Sequence, residues 1–319
     1  MLRILHNTSW DFIKQWRTAA IALAIFVVPA LIMMPFTKTS YSIEFTGGTM
    51  MELRFKDAPP IADVRAALAT SGHGDAEIAT FGSPREIVVR AQEAEQVAQL
   101  GAAGAESVGQ QIEAALRTRF GANSFEVMHT DAVGPRVGGE LRRQATIAML
   151  IAFGLTLIYL AWRFEWRFAV AAVLATVHDI IATFAFMKYM DLEISVFVVG
   201  AVLTVIGYSM NDKVVVFDRV RENLHLHKRQ SLYDLLNRSV NETLPRTVMT
   251  GSTTLACLLA LLIFGGDIIR PFAWILIFGI VIGTFSSIYV GSPLLLWIER
   301  KYPRPNEARS RVATVDARP

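Results

Sequence analysis

Two carboxylates stand where a water-soluble chain rarely puts them. Asp179 and Asp212 each interrupt a long apolar run, Asp179 beside His178 and Asp212 beside Lys213. A charge at the centre of a membrane-spanning helix costs about 2.5–3.5 kcal/mol on insertion scales, so an acid there implies a partner or a purpose. The chemistry open to it is proton binding, because burial and a neighbouring cation act in opposite senses on a carboxyl group and a small displacement shifts the balance. Arg246 is the cation placed to do this, and the hydroxyls of Thr247, Thr250 and Thr254 follow it. Its plainer reading is a positive flank residue. His178 and Asp179 point about 100° apart around a helix, so no direct contact between them is expected.

Positioning these groups takes helices about 20 residues long, enough to cross about 30 Å of hydrocarbon. Six windows qualify: 18–36, 144–161, 168–187, 194–217, 247–264 and 272–297. Asp179 lies about 16 Å into the third and Asp212 about 27 Å along the fourth, at 1.5 Å per residue. The alternative for Asp212 is a helix that ends at Met210 and leaves Asn211, Asp212 and Lys213 as a solvated cap. The apolar residues Val214 to Phe217 argue against it.

Lys and Arg cluster in alternate loops: Arg3, Lys14 and Arg17 before the first window, Arg163 and Arg167 between the second and third, and Arg219, Arg221, Lys228, Arg229 and Arg238 between the fourth and fifth. Arg300, Lys301, Arg304, Arg309, Arg311 and Arg318 close the chain, and the opposite short loops carry only Lys188 and Arg270. The bias predicts that both termini are cytoplasmic. The first window exceeds a signal-peptide core and lacks a small-residue cleavage site, so it reads as a retained anchor. The expected division is 1–36 for the N-terminus and first span, 37–143 for an outside α+β domain, 144–298 for a five-helix bundle and 299–319 for a basic tail.

The outside segment holds 11 basic and 14 acidic residues, a net −3, whereas the rest of the chain is positive and the whole carries +3. Within it, 50–55, 77–81, 86–91 and 125–130 read as strands, and 61–70 and 106–120 as amphipathic helices. The order β-α-β-β-α-β predicts a ferredoxin-like split unit. The fold class expected is therefore membrane α-helical, six spans arranged one plus five, with one such domain. Inside the cell, within a loop at 218–246, Ser231 and Asp234 form a capping-box pattern ahead of Leu232, Leu235, Leu236 and Val240, which suggests a short helix on the membrane surface. His225 and His227 there read as solvated side chains. In the last span Gly279, Gly283 and Ser287 recur every four residues, a spacing that permits close helix approach.

Composition removes other classes. The chain has 319 residues, is 53% hydrophobic and only 18% charged, against roughly 25% charged in soluble proteins. Cys257 is the single cysteine, which excludes a disulfide framework and a cysteine-based metal site. Basic residues do not gather on an aromatic-interleaved stretch, so nucleic acid is not an expected partner. No cofactor and no catalytic group is expected.

The blocks Ser42-Ile43-Glu44-Phe45-Thr46-Gly47-Gly48-Thr49, Val133-Gly134-Pro135, Trp162-Arg163-Phe164-Glu165, His178-Asp179 and Ile206 to Asp212 running into Val215 to Asn223 resemble the SecF family. Its members are subunits of the bacterial protein-export machinery, related to the resistance-nodulation-division transporters. The resemblance implies a bacterial inner-membrane protein with its large loop periplasmic. It also implies a complex with SecD beside the SecYEG channel, with YajC as a further candidate partner, contact with membrane lipid, and use of proton-motive force to draw unfolded polypeptide across. It places Asp212, Arg246 and Thr250 on the proton path, with Asp179 and His178 as further candidates, and Phe45, Gly47 and Gly48 at a motif that acts as a hinge or as a simple tight turn. Lys213 stands where the family pattern has a small hydroxyl residue, Glu44 replaces the commoner Asp, and Arg136 interrupts the run after Gly134-Pro135. A second cation beside Asp212 is expected to compete with Arg246.

Two other classes compete. An exporter of small molecules or lipids from the same superfamily would share the bundle, but a single outside domain of about 107 residues favours capture or docking over a porter. An intramembrane aspartyl protease would need Asp179 and Asp212 close enough to share a proton, whereas their depths differ. His178-Asp179-Ile180-Ile181-Ala182 also lacks the second histidine of a zinc-protease helix.

Overall fold

The computed structural model describes residues 8–37, 40–81, 83–91, 102–227 and 229–303. Arg3, Lys228 and the tail cations Arg304, Arg309, Arg311 and Arg318 lie outside the described residues. The chain divides into two units, Met1–Lys38 with Ile151–Leu192 and Gly200–Pro319, and Thr39–Leu150 with Glu193–Val199.

The second unit contains a four-stranded sheet. Its strands are β1 (Gly48–Phe55), β2 (Glu77–Phe81), β3 (Ser83–Ala91) and β4 (Phe125–Val133), in the order β2-β3-β1-β4 with every pair antiparallel. Preceding β1 is a one-turn helix, α2 (Ile43–Thr46); α3 (Ile61–Thr70) follows β1, and α4 (Ala102–Phe120) joins β3 to β4. This is the split β-α-β unit that the sequence pattern predicts. Alternation does the sorting: Met51, Leu53 and Phe55 on β1 and Ile87, Val89 and Ala91 on β3 bury one face, where they meet Val64 and Leu68 of α3 and Ile112 and Leu116 of α4. Phe55 packs its ring 5.4 Å from Phe120 and 5.1 Å from Phe125, closing one end.

Among the described residues six helices are long and apolar enough to cross a membrane, which makes the protein multi-pass. They are built from α1 (Trp16–Met33), α5 (Pro135–Arg163), α6 (Trp166–Tyr189), α7 (Val196–Leu226), α8 (Leu232–Phe264), and α9 (Gly266–Ser286) continued through a π-helical turn, Ser287–Gly291, into α10 (Ser292–Lys301). One expectation holds and one changes here. As the apolar residues beyond Lys213 indicate, α7 does not stop at Met210; it continues through Asp212 for another four turns because Val216, Phe217 and Val220 are core residues at helical spacing. The amphipathic segment from Leu232 to Val240, by contrast, is not the separate surface helix expected. It is the first three turns of α8, and Pro245 is accommodated inside that helix. Its start is as the sequence indicates, with Ser231 Oγ accepting from the Asp234 amide at 3.1 Å.

Small residues bring α9 against α7. A Cβ added at Gly279 would overlap the Val205 side chain, and one at Gly283 would sit 2.9 Å from Ser209 Cβ. Gly279→Ala is therefore expected to lower stability by about 1–3 kcal/mol, the usual cost of overpacking. Gly154→Ala, where the added methyl meets open space, serves as the control. Unfolding of both variants in detergent checks this, and equal midpoints would remove the close-approach argument.

The segment ahead of α1 is tied to α8. Asn241 bonds both the amide and the carbonyl of Trp10, and Asn237 Oδ1 accepts from the Ile13 amide. Tyr233 and Asn237 donate to Asp11 Oδ1 at 2.6 and 2.8 Å. The Tyr233 hydroxyl above all holds the Asp11 carboxyl below its usual range. A lowered carboxyl contributes stability above its unfolded value, about pH 3.9, and loses it as the pH falls through the folded value. Exchange of the Lys14 amide, which donates to Asp11, is expected to quicken below about pH 4 beyond the intrinsic trend, and Asp11→Asn to abolish that extra acceleration.

Candidate functional site

Four helices and the π-helical turn assemble two hydrogen-bonded acids inside the first unit. Asp212, on α7, has 8% of its surface exposed. Thr247 of α8 donates to its Oδ1 at 2.7 Å, and Ser287 of the π turn contacts its Oδ2 at 2.6 Å. Asp179, on α6, is 1% exposed. Its Oδ2 accepts from Lys213 Nζ and Ser209 Oγ of α7, both at 2.5 Å, and from Ser286 Oγ at 2.8 Å, while His178 Nδ1 lies 3.0 Å from Oδ1.

Adjacent residues in α7 thus face different neighbours. Asp212 turns to α8 and the π turn, whereas the fully buried Lys213 reaches across to α6. The expected competition between Lys213 and Arg246 at Asp212 does not arise as direct contact, because a step of about 100° around the helix gives Lys213 a carboxylate of its own. Its charge is matched by Asp179, and its remaining protons reach Ser209. A buried pair survives only when such bonds compensate desolvation.

The expected Asp212–Arg246 contact is also absent: among the described residues no ion pair within 4.0 Å joins them. Thr247 occupies the position on α8 that faces Asp212, so Arg246 is turned aside and exposed. Thr250 is exposed too, and its carbonyl accepts from Thr253 and Thr254. Conversely, His178 and Asp179, expected to diverge, are joined, since the imidazole and carboxylate bend toward each other from neighbouring positions on α6.

The serines were not singled out by sequence reasoning as partners of the acids. Ser287 belongs to the small-residue stripe, and Ser209 precedes Lys213 by one helical turn, so spacing carried a signal for both; nothing marked Ser286. Consecutive serines serve separate acids because the π turn begins between them. Ser287 Oγ also lies 2.8 Å from the Thr284 carbonyl. A hydroxyl has one hydrogen. When that hydrogen points at Asp212, the carboxylate is accepting; when it points at Thr284, a protonated Asp212 donates to Ser287. The same partners therefore satisfy both protonation states with a hydroxyl rotation alone.

The glycine motif lies in the second unit. Gly47 and Gly48 have φ of +75° and +123°, conformations that side-chain-bearing residues rarely adopt. Phe45 is buried, and a Cβ on Gly138 of α5 would sit 2.9 Å from the Gly47 nitrogen. Glu44 Oε2 accepts from the Val196 amide at 2.7 Å, the first residue of α7. Backbone bonds from Ser42 to Ile194 and from Ile194 to Ser40 extend this contact, and Arg90 of β3 pairs with Glu193. The motif is thus a clamp on the start of the helix that carries Asp212.

Comparison with known proteins gives the family. Residues 111–301 match the family model of the protein export membrane protein SecD/SecF, C-terminal, and residues 32–59 match the SecD/SecF GG motif. The chain belongs to the SecD/SecF family. Within it, the protein translocase subunit SecF of Gemmatimonas aurantiaca is 52% identical over 97% of this chain and 92% of its own length. The SecF subunit of Vibrio alginolyticus is 37% identical over the whole of both. The crystal structure of SecDF from Thermus thermophilus, a translocon-associated membrane protein, is 34% identical, with a TM-score of 0.81 over 94% of this chain. The chain corresponds to 40% of that SecDF polypeptide. A crystal structure of SecDF in a super-membrane-facing form gives a TM-score of 0.66 over 97%.

Proposed function

We propose that this chain is a proton-motive-force-coupled accessory subunit of Sec protein export, acting with SecD beside SecYEG at a late stage of polypeptide translocation and having no enzymatic activity of its own. The reading places it in the bacterial inner membrane with both termini cytoplasmic and the sheet domain periplasmic, as the distribution of Lys and Arg indicates. The observation that carries it is the Asp212–Ser287–Thr284 arrangement, which accommodates a proton or its absence without leaving a buried polar atom unsatisfied.

Asp212 is the proton-binding group, Arg246 sets the field it feels, and Thr250 is the next hydroxyl one turn beyond. Asp179 and His178 form the neighbouring charged cluster. Movement of α7 on proton binding is passed on through the clamp at Glu44, Phe45, Gly47 and Gly48, where Glu44 holds the first amide of that helix. Each proton crossing 100 mV releases about 2.3 kcal/mol, of the order needed to repopulate two conformations.

The test uses inner-membrane vesicles containing the complete export machinery and a secretory preprotein. The chain is expected to accelerate completion of export when respiration energises the membrane, and an ionophore that collapses the gradient is expected to remove the gain. A gain that persists after collapse would overturn the coupling. Glu44→Ala is expected to leave proton uptake in place while lowering export several-fold, as measured in the same vesicles.

A further inference from the structure

A groove of about 610 Å³ runs between α1 and the π turn with α10, apart from the two acids. On one side it is walled by α1 from Trp16 to Val28, on the other by the stretch from Tyr289 to Arg300, with His178 of α6 at its floor. At 1.5 Å per residue both walls are about 16–18 Å long, close to half the roughly 30 Å thickness of bilayer hydrocarbon. Its lining is apolar except at one end. There Arg300 stands at the mouth, Arg17 lies over the Trp16 ring, and Lys301 lies over the Trp297 ring. Trp16 and Trp297 are both exposed, as amphipathic rings at the headgroup level are. Glu299, the acid nearest in sequence, is buried and faces Arg167.

We propose that this groove is a binding site for one anionic phospholipid, with an acyl chain lying between α1 and α10 and the phosphate held by Arg300, Arg17 and Lys301. The groove is about half the hydrocarbon thickness long and carries its cations at one end. Three cations at the mouth select a phosphate that carries net charge over a zwitterionic headgroup. The groove also reaches His178, whose Nε2 has no hydrogen-bond partner among the described residues. This inference does not depend on proton coupling at Asp212.

The full chain, released from mixed vesicles of phosphatidylglycerol and phosphatidylcholine with identical tails, is measured by native mass spectrometry. One phosphatidylglycerol per chain is expected to be retained about tenfold over phosphatidylcholine. Arg300→Gln combined with Lys301→Gln is expected to abolish that preference, and Ala24→Trp, which fills the groove from an exposed position on α1, to lower retention of both lipids. Equal retention of the two lipids by the unaltered chain would mean an ordinary lipid shell and overturn the proposal. So would retention unaffected by both variants, or loss of the lipid when SecD is bound, which would make the groove a protein interface.

Discussion

Asp212→Asn is expected to leave a protein that inserts and folds normally yet no longer couples export to the gradient. The carboxamide is nearly the same shape and still bonds Thr247 and Ser287, so the site stays filled. What it loses is the ability to exchange a proton. A proton moved through 100 mV supplies about 2.3 kcal/mol, roughly fortyfold in a conformational equilibrium, and that bias disappears with the carboxyl group. Export into energised vesicles should fall to the level seen with the gradient collapsed, while unfolding in detergent stays within about 1 kcal/mol of the parent. Wild-type export by this variant would exclude Asp212 from the proton route.

Lys213→Met should have the largest effect on stability. The ammonium group is fully buried and bonded to Asp179 and Ser209, and removing one member of a buried pair costs about 3–5 kcal/mol because the other charge is left uncompensated. Adding Asp179→Asn to Lys213→Met should recover most of that loss, since no unpaired charge remains. Unfolding of the two single variants and the double variant in one detergent measures the coupling. Independent, additive losses would show that the pair is not the unit described.

The outline of the fold was legible because it depends on period and length. Strands such as 77–81 and the helix 61–70 coincide with the expected ranges, since apolar alternation fixes which side a residue buries. The single long α8 was not legible: the sequence reads as a short surface helix within a loop at 218–246 and a separate span from 247, but the helix runs through both. At the candidate site the two acids were visible as charges in apolar runs, whereas their partners were not. Whether Asp212 meets Arg246 or Thr247 depends on rotation by one residue about α8. Whether Ser286 and Ser287 serve one acid or two depends on a π turn that leaves no mark in local composition. Lys213 looked like a competitor for Asp212 because sequence adjacency suggests proximity, while the helix directs neighbours apart.

The most direct measurement is the carboxyl stretching band of the chain in sealed vesicles, recorded by infrared difference spectroscopy as a proton gradient is applied. A band from a protonated buried carboxyl should appear with the gradient, vanish in Asp212→Asn and remain in Asp179→Asn. A band that survives in Asp212→Asn, or no gradient-dependent band at all, would contradict proton binding at Asp212.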